Sequence, residues 1–287
     1  MPARFAAASP ALAPRVVRIA PLTAVPAWQH LPLTLRGYRV GHDRRAALYS
    51  LLGVHLDTVN VWSHLLGFLY YLAMVPYTAA ALRANRATPL DHLFFFFYIA
   101  CAGCQMLASA LYHLFRAVEH LDAALLALDI WGIVAMILGS CGVGMSQGFH
   151  RTPWVGAAYV AAELLLLVAG SVMGKRAMAG RSSWEAYFVV MGSAVAFGVV
   201  PCAHMYRQCE HFGGAVATER ALAGMFGNYF VGWLLLVSRF PERLSPGLFD
   251  IVGHSHQWWH LFVFLAGRTW LLALLDLNAA NRAGPAG

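Results

Sequence analysis

Apolar runs long enough to cross a bilayer recur seven times in this chain, and this limits its possible folds more than any other feature. They run roughly from Thr58 to Leu82, Asp91 to Phe115, Leu125 to Gln147, Pro153 to Met173, Trp184 to Met205, Glu219 to Ser238 and Gly253 to Leu277. A spanning helix needs roughly 20 mostly apolar residues. In lipid every backbone polar group must be satisfied within the protein, which leaves helices or closed barrels. The runs are continuously apolar and do not alternate, so the expectation is an all-α membrane protein with seven transmembrane helices. Gly139 to Gly148 and Gly224 to Gly232 weaken the helix signal of the third and sixth runs, but small residues in membranes often mark close helix packing. Only 11% of the residues are charged and 60% are hydrophobic. Soluble domains carry about 25% charge, so this chain cannot cover a water-facing surface.

The expected organisation is a flexible basic N-terminal tail with a short amphipathic helix near Arg44 to Leu52 (residues 1–52), a seven-helix transmembrane domain (53–278) and a short C-terminal tail (279–287). The first fifty residues are rich in Ala, Pro and Arg and poor in acid, so a cleaved targeting segment is the competing reading of the tail. With seven spans, thirteen of the 20 Lys and Arg fall on the side of the N-terminus and of the second, fourth and sixth loops. Six fall on the other side, and Arg268 lies inside the last span. The positive-inside rule then puts the N-terminus in the cytosol and the C-terminus on the opposite side. The formal net charge of +7 reads as topology and attraction to anionic lipid. No soluble basic face exists to bind nucleic acid.

The five cysteines carry little. Cys101 and Cys104 form a C-x-x-C, but inside an apolar span, where small core residues are the plain reading. Cys141 looks the same, and nothing pairs Cys202 with Cys209. The membrane-embedded polar residues say more, because each is costly in hydrocarbon. His256 and His260, opening the last span, are four apart and share one helix face; two imidazoles so placed can hold one metal ion or can simply hydrogen-bond. His254 points elsewhere. Ser109 and His113 share a face at the end of the second span. The second and seventh spans run in opposite directions, so His113, His256 and His260 fall at one depth on the same side. Three imidazoles match a zinc site that keeps a fourth position for water, and zinc brings the pKa of such a water toward neutrality. Asp129 enters the third span at that same depth. Its carboxylate either orients an imidazole or takes a proton, or it pairs with a nearby arginine. Ser109 either bonds that water or a substrate carbonyl, or bonds its own backbone. Asp57 suggests a helix N-cap region at the entry to the first span. Asn60 and His64 share a face there and suit a structural bond to a neighbouring helix. Lys175, the sole lysine, reads as a loop residue, so no span offers a Schiff base to a retinal. Arg268 either lines a cavity or pairs with Asp276.

Several of these segments resemble the progestin and adipoQ receptor family, which includes the adiponectin receptors and is related to haemolysin III. They are Asp57-Thr58-Val59-Asn60-Val61-Trp62-Ser63-His64-Leu65-Leu66-Gly67-Phe68, Ser109-x-x-x-His113, Leu128-Asp129, Gly198-Val199-Val200-Pro201, and Pro241-Glu242-Arg243 through Pro246-Gly247 to Ser255-His256-Gln257-x-x-His260. The likeness runs in order from Gly37 to Leu261. The first motif is phrased most like the adiponectin-receptor and Golgi-localised Raf-trapping branches. The resemblance implies a seven-helix fold with its N-terminus in the cytosol. It also implies zinc at His113, His256 and His260, with Asp129 and Ser109 lining a zinc-bound water. Asp57 departs from the family, which usually has glutamate there.

Two functions follow as expectations. In the first, a signalling receptor of this family also hydrolyses a lipid amide in the manner of a ceramidase, with a ceramide-like substrate entering from the bilayer. In the second, a receptor or scaffold uses zinc only to staple the second and seventh helices, and takes a steroid, a protein ligand or a cytosolic partner. Plasma membrane and Golgi or other endomembranes fit equally well.

Overall fold

The computed structural model describes residues 18–41, 43–181, 184–210 and 215–283. Seven helical segments within them are long and apolar enough to cross a membrane. In chain order a two-residue strand β1 (Ile19–Ala20) pairs antiparallel with β2 (Tyr38–Arg39). Next come α1 (Arg44–Ser50), α2 (Thr58–Ala84), α3 (Pro89–Phe115), α4 (Glu119–Gly148), α5 (Pro153–Met178), α6 (Trp184–Phe197), α7 (Val199–Glu210), α8 (Ala215–Ser238) and α9 (Ser255–Ala283). The spans are α2, α3, α4, α5, the α6–α7 pair, α8 and α9.

Local chemistry explains several boundaries. Thr88 and Asp91 cap α3 reciprocally, with Pro89 in the first turn, which satisfies amide donors that a helix start leaves free. Glu242 accepts from the Ser255 amide at 2.8 Å and from the Ser255 hydroxyl, placing negative charge at the positive end of α9. The fifth run was expected to be one helix from Trp184 to Met205, but it breaks at Gly198 into α6 and α7. Pro201 has no N–H for the Phe197 carbonyl, which removes one rung of the ladder. Lys175 lies in the last turn of α5, not in a loop. Charge at a helix C-terminus is favourable, so the helix carries Lys175 and Arg176 past the apolar run.

Glycines of α4 do mark close packing. A Cβ on Gly132 would stand 2.9 Å from the Gln105 backbone, and one on Gly139 would stand 2.8 Å from the Cys101 Cβ. Around this contact α2, α3, α4 and α9 share one core that includes Tyr71, Phe95, Tyr98, Met106, Trp270 and Leu271. All the cysteine side chains described, Cys101, Cys104, Cys141 and Cys202, are free.

The N-terminal region differs from the flexible tail expected over residues 1–52. Residues 1–17 lie outside the described part. From Arg18 onward the chain forms the β1–β2 pair, two short 3-10 turns and a small core of Val25, Tyr38 and Leu56. Tyr38 donates to the Thr34 carbonyl at 3.1 Å. Asp250, in the loop before α9, accepts from the Leu35 and Arg36 amides at 3.1 and 2.9 Å. Gly37 has φ +85°, and a Cβ there would meet Ile251 and the Leu56 backbone, so the tight crossing requires glycine. Helix α1 falls where a short helix was expected. Leu48, Tyr49, Leu52 and Val54 are exposed on and after it, an arrangement suited to the membrane interface.

At the other end α9 continues to Ala283, into the stretch expected as a tail over 279–287; residues 284–287 lie outside the described part. Polar pairing holds the extension. Gln147 donates to Asp91 at 2.9 Å and accepts from Asn278 at 2.9 Å, and Arg282 pairs with Asp91. Arg268 forms no ion pair with Asp276 among the described residues. Eight residues of helix separate the two by about 12 Å, and Arg268 instead meets the Tyr70 hydroxyl on α2.

Candidate metal centre

Two helices bring the expected histidines together. His113 ends α3, and His256 and His260 occupy successive turns at the start of α9. The His256 Nε2 lies 3.3 Å from the His113 Nε2 and 3.1 Å from the His260 Nε2. Among the described residues these three form the one group whose ligand atoms are close enough to share an ion. His113 and His260 are buried and His256 is half-buried. His254 stays outside the group, with its ring 6.5 Å from that of His256.

The donor set can be tested against zinc directly. Nitrogens about 2.0–2.1 Å from a tetrahedral zinc stand about 3.3–3.4 Å apart. The two observed separations, 3.3 and 3.1 Å, lie at and about 0.2 Å under that edge length. Neutral imidazoles have one N–H and one lone pair each, and the Nδ1 of His113 faces the Asp57 carboxylate at 3.1 Å. That contact assigns the proton to Nδ1 and turns the Nε2 lone pair toward the other two rings. A carboxylate behind a ligating histidine fixes its tautomer and raises its basicity. The residues fit the group.

Asp57 was expected in a supporting structural role at the entry to the first span. It occupies the N-cap position of α2 but makes no side-chain cap bond there. Its carboxylate instead holds Arg39 at 3.1 Å, Arg116 at 3.5 Å and His113 at 3.1 Å. Burial opposes its charge, but Arg116, the His113 hydrogen bond and Arg39 outweigh burial and hold the carboxyl well below the usual carboxylate range. For His113, orienting the imidazole, one of the roles left open for Asp129, is done by Asp57.

Arg39 had no place in the sequence reading. Its buried guanidinium donates to the carbonyls of His113 and Leu114 at 2.6 Å each, to Ser50 Oγ at 2.9 Å and to Asp57. It thus closes the C-terminus of α3, where free carbonyls attract a cation. No local pattern could have revealed this, since Arg39 reaches α3 from a strand 74 residues earlier.

Asp129 and Ser109 meet at hydrogen-bond range, and Asp129 lies within electrostatic reach of His113. Ser109 is buried. Asp129 makes no ion pair with an arginine among the described residues. Asn60 and His64 are buried beside the site. The Asn60 amide has no hydrogen-bond partner, and the His64 ring approaches the His260 backbone on α9. Contact is made by stacking, with the His64 and His260 rings 3.8 Å apart and 20° from parallel.

The fold and the site together define a class, a seven-helix membrane protein with a buried histidine triad at one end of the bundle. The family described as "Haemolysin-III related" matches residues 52–271, and the chain belongs to it. Among its relatives are "Heptahelical transmembrane protein 1" of Arabidopsis thaliana, 31% identical over 87% of this chain and 78% of its own length. Human "Progestin and adipoQ receptor family member 3" is 27% identical over 91% of this chain and 86% of its own. The "Adiponectin receptor protein" of Drosophila melanogaster is 31% identical over 77% of this chain and 50% of its own. The resemblance seen in the sequence and the expectation of an integral multi-pass membrane protein are both met.

Proposed function

We propose that this chain is a zinc-dependent lipid amide hydrolase within a receptor-type family, acting on a ceramide-like amide that reaches the site from the bilayer. The convergence of the three Nε2 atoms carries this reading. His256 is less buried than its two partners, which supports a position open to exchange. When bound, zinc supplies Lewis acidity toward water and a carbonyl oxygen.

The chain's own groups supply the rest. Asp57 keeps the His113 proton on Nδ1. Asp129 accepts the proton of the attacking water on a carboxylate oxygen and returns it to the leaving amine. Ser109 donates its one hydroxyl proton to the Asp129 carboxylate and so orients it. The unpaired amide of Asn60 offers further hydrogen bonds beside the site. The asymmetry of basic residues supports an N-terminus in the cytosol, with the histidines at the cytosolic end.

A second reading keeps zinc as a staple between α3 and α9 in a receptor or scaffold. The rigid bracing of His113 by Asp57, Arg39 and Arg116 favours it. Asp129→Asn separates the two. The variant is expected to keep its metal and lose ceramide hydrolysis by at least about 100-fold, the usual contribution of a positioned acid–base group. Hydrolysis unchanged by Asp129→Asn, or absent from the wild type with zinc bound, leaves only the staple.

A further inference from the structure

We propose that the lipid-facing groove between α4 and α5 is a binding site for an anionic glycerophospholipid, separate from the histidine site. The groove encloses about 480 Å³ and is lined by Trp131, Leu138, Leu164, Val168, Ser171 and Lys175 among others. That volume falls within the range of small-molecule sites, about 300–1,000 Å³.

Its polarity is graded from one end to the other. Leu138, Leu164 and Val168 give apolar walls, and the Ser171 hydroxyl is spent on the Leu167 carbonyl at 2.7 Å. The charge sits only at the mouth, where the Lys175 ammonium stands 5.2 Å above the Trp131 ring. A cation held over an indole face is fixed in place, and tryptophan belongs at the headgroup level of a membrane. Arg176 follows and is exposed. Among the described residues Lys175 has no carboxylate partner. The nearby acid, Asp129, turns to Ser109 on α3. Two residues along a helix lie about 200° apart, so Trp131 turns away from the histidine site and toward α5.

An apolar trough ending in an ammonium with no carboxylate partner among the described residues complements one acyl chain with a phosphate at its head. Basic pockets between spanning helices recognise anionic headgroups in this way. A zwitterionic lipid would bring its own cation against Lys175, and the side of another helix would bury the ammonium without a counter-charge.

The test is native mass spectrometry of the detergent-solubilised full chain, titrated with phosphatidic acid and with phosphatidylcholine of matched acyl chains. Wild type is expected to bind phosphatidic acid about fivefold more tightly, the preference one basic side chain confers at an anionic surface. Lys175→Gln should remove that preference and Lys175→Arg should keep it. Val168→Trp, which fills the trough, should weaken both lipids while leaving the zinc content unchanged. Equal affinity for the two lipids in wild type, or a preference that survives Lys175→Gln, overturns the proposal. So does a change of oligomeric state with Val168→Trp and no change in lipid binding, which would assign the groove to a second copy of the chain.

Discussion

At the scale of single residues, Asp57 holds most of what surrounds the histidines. One buried carboxylate meets two guanidinium groups and an imidazole. Removing one partner of a buried charged set strands the others, at about 3–5 kcal/mol. Asp57→Ala is therefore expected to lower stability by that order in a thermal unfolding measurement, because Arg39 and Arg116 are left buried and uncompensated. It should also weaken metal binding about 10- to 100-fold in a competition titration, through the loss of the group that orients His113. An unfolding midpoint equal to wild type would mean that Arg39 and Arg116 do not depend on Asp57.

The helices raise a different matter, how closely they approach. Gly139 faces Cys101 with no room for a methyl group. Gly139→Ala forces α3 and α4 apart and is expected to destabilise by about 1–3 kcal/mol, the range for overpacking. Gly192 on α6 has nothing within 4 Å of its Cβ position. Gly192→Ala should be neutral or stabilising, since alanine is the better helix former. Thermal shifts of the two variants, side by side, check the contrast; equal shifts would contradict it. The start of α9 rests on Glu242, and Glu242→Ala should cost about 0.5–2 kcal/mol as a lost cap. Because that cap sets the first turn, zinc affinity should fall with it.

What the sequence disclosed at this scale follows from range. The spans are long and continuously apolar, so they read directly. His256 and His260 read from their spacing, and His113 joins them because antiparallel spans place helix ends at one depth. The break at Gly198 was missed, although Pro201 was visible, since proline inside spans is often absorbed without one. Asp57 was expected to support the site, but the groups it holds could not be read from its neighbours. Its true partners are Arg39, 18 residues before it, and His113, 56 residues after it. Residues 18–41 carry no helical or strand period, and what orders them is contact with Asp250, more than 200 residues away.

For the whole molecule, the two ends of the bundle are built differently. One end joins α3, α4 and α9 through the neutral and ionic pairs of Asp91, Gln147, Asn278 and Arg282. The other joins α2, α3 and α9 through the histidines, with the N-terminal segment laid across it by Arg39 and Asp250. The segment thus couples to the site, and Arg39→Met is expected to reduce zinc affinity although it touches no ligand nitrogen. Identical zinc affinities in a competition titration would contradict that coupling.

The central claim is that His113, His256 and His260 hold one metal ion. Elemental analysis of the purified protein beside its His256→Ala variant tests it most directly. About one zinc per chain in wild type, lost in a variant that still elutes as a folded species, is the result expected of a three-histidine site. No zinc in either, or equal zinc in both, would contradict it.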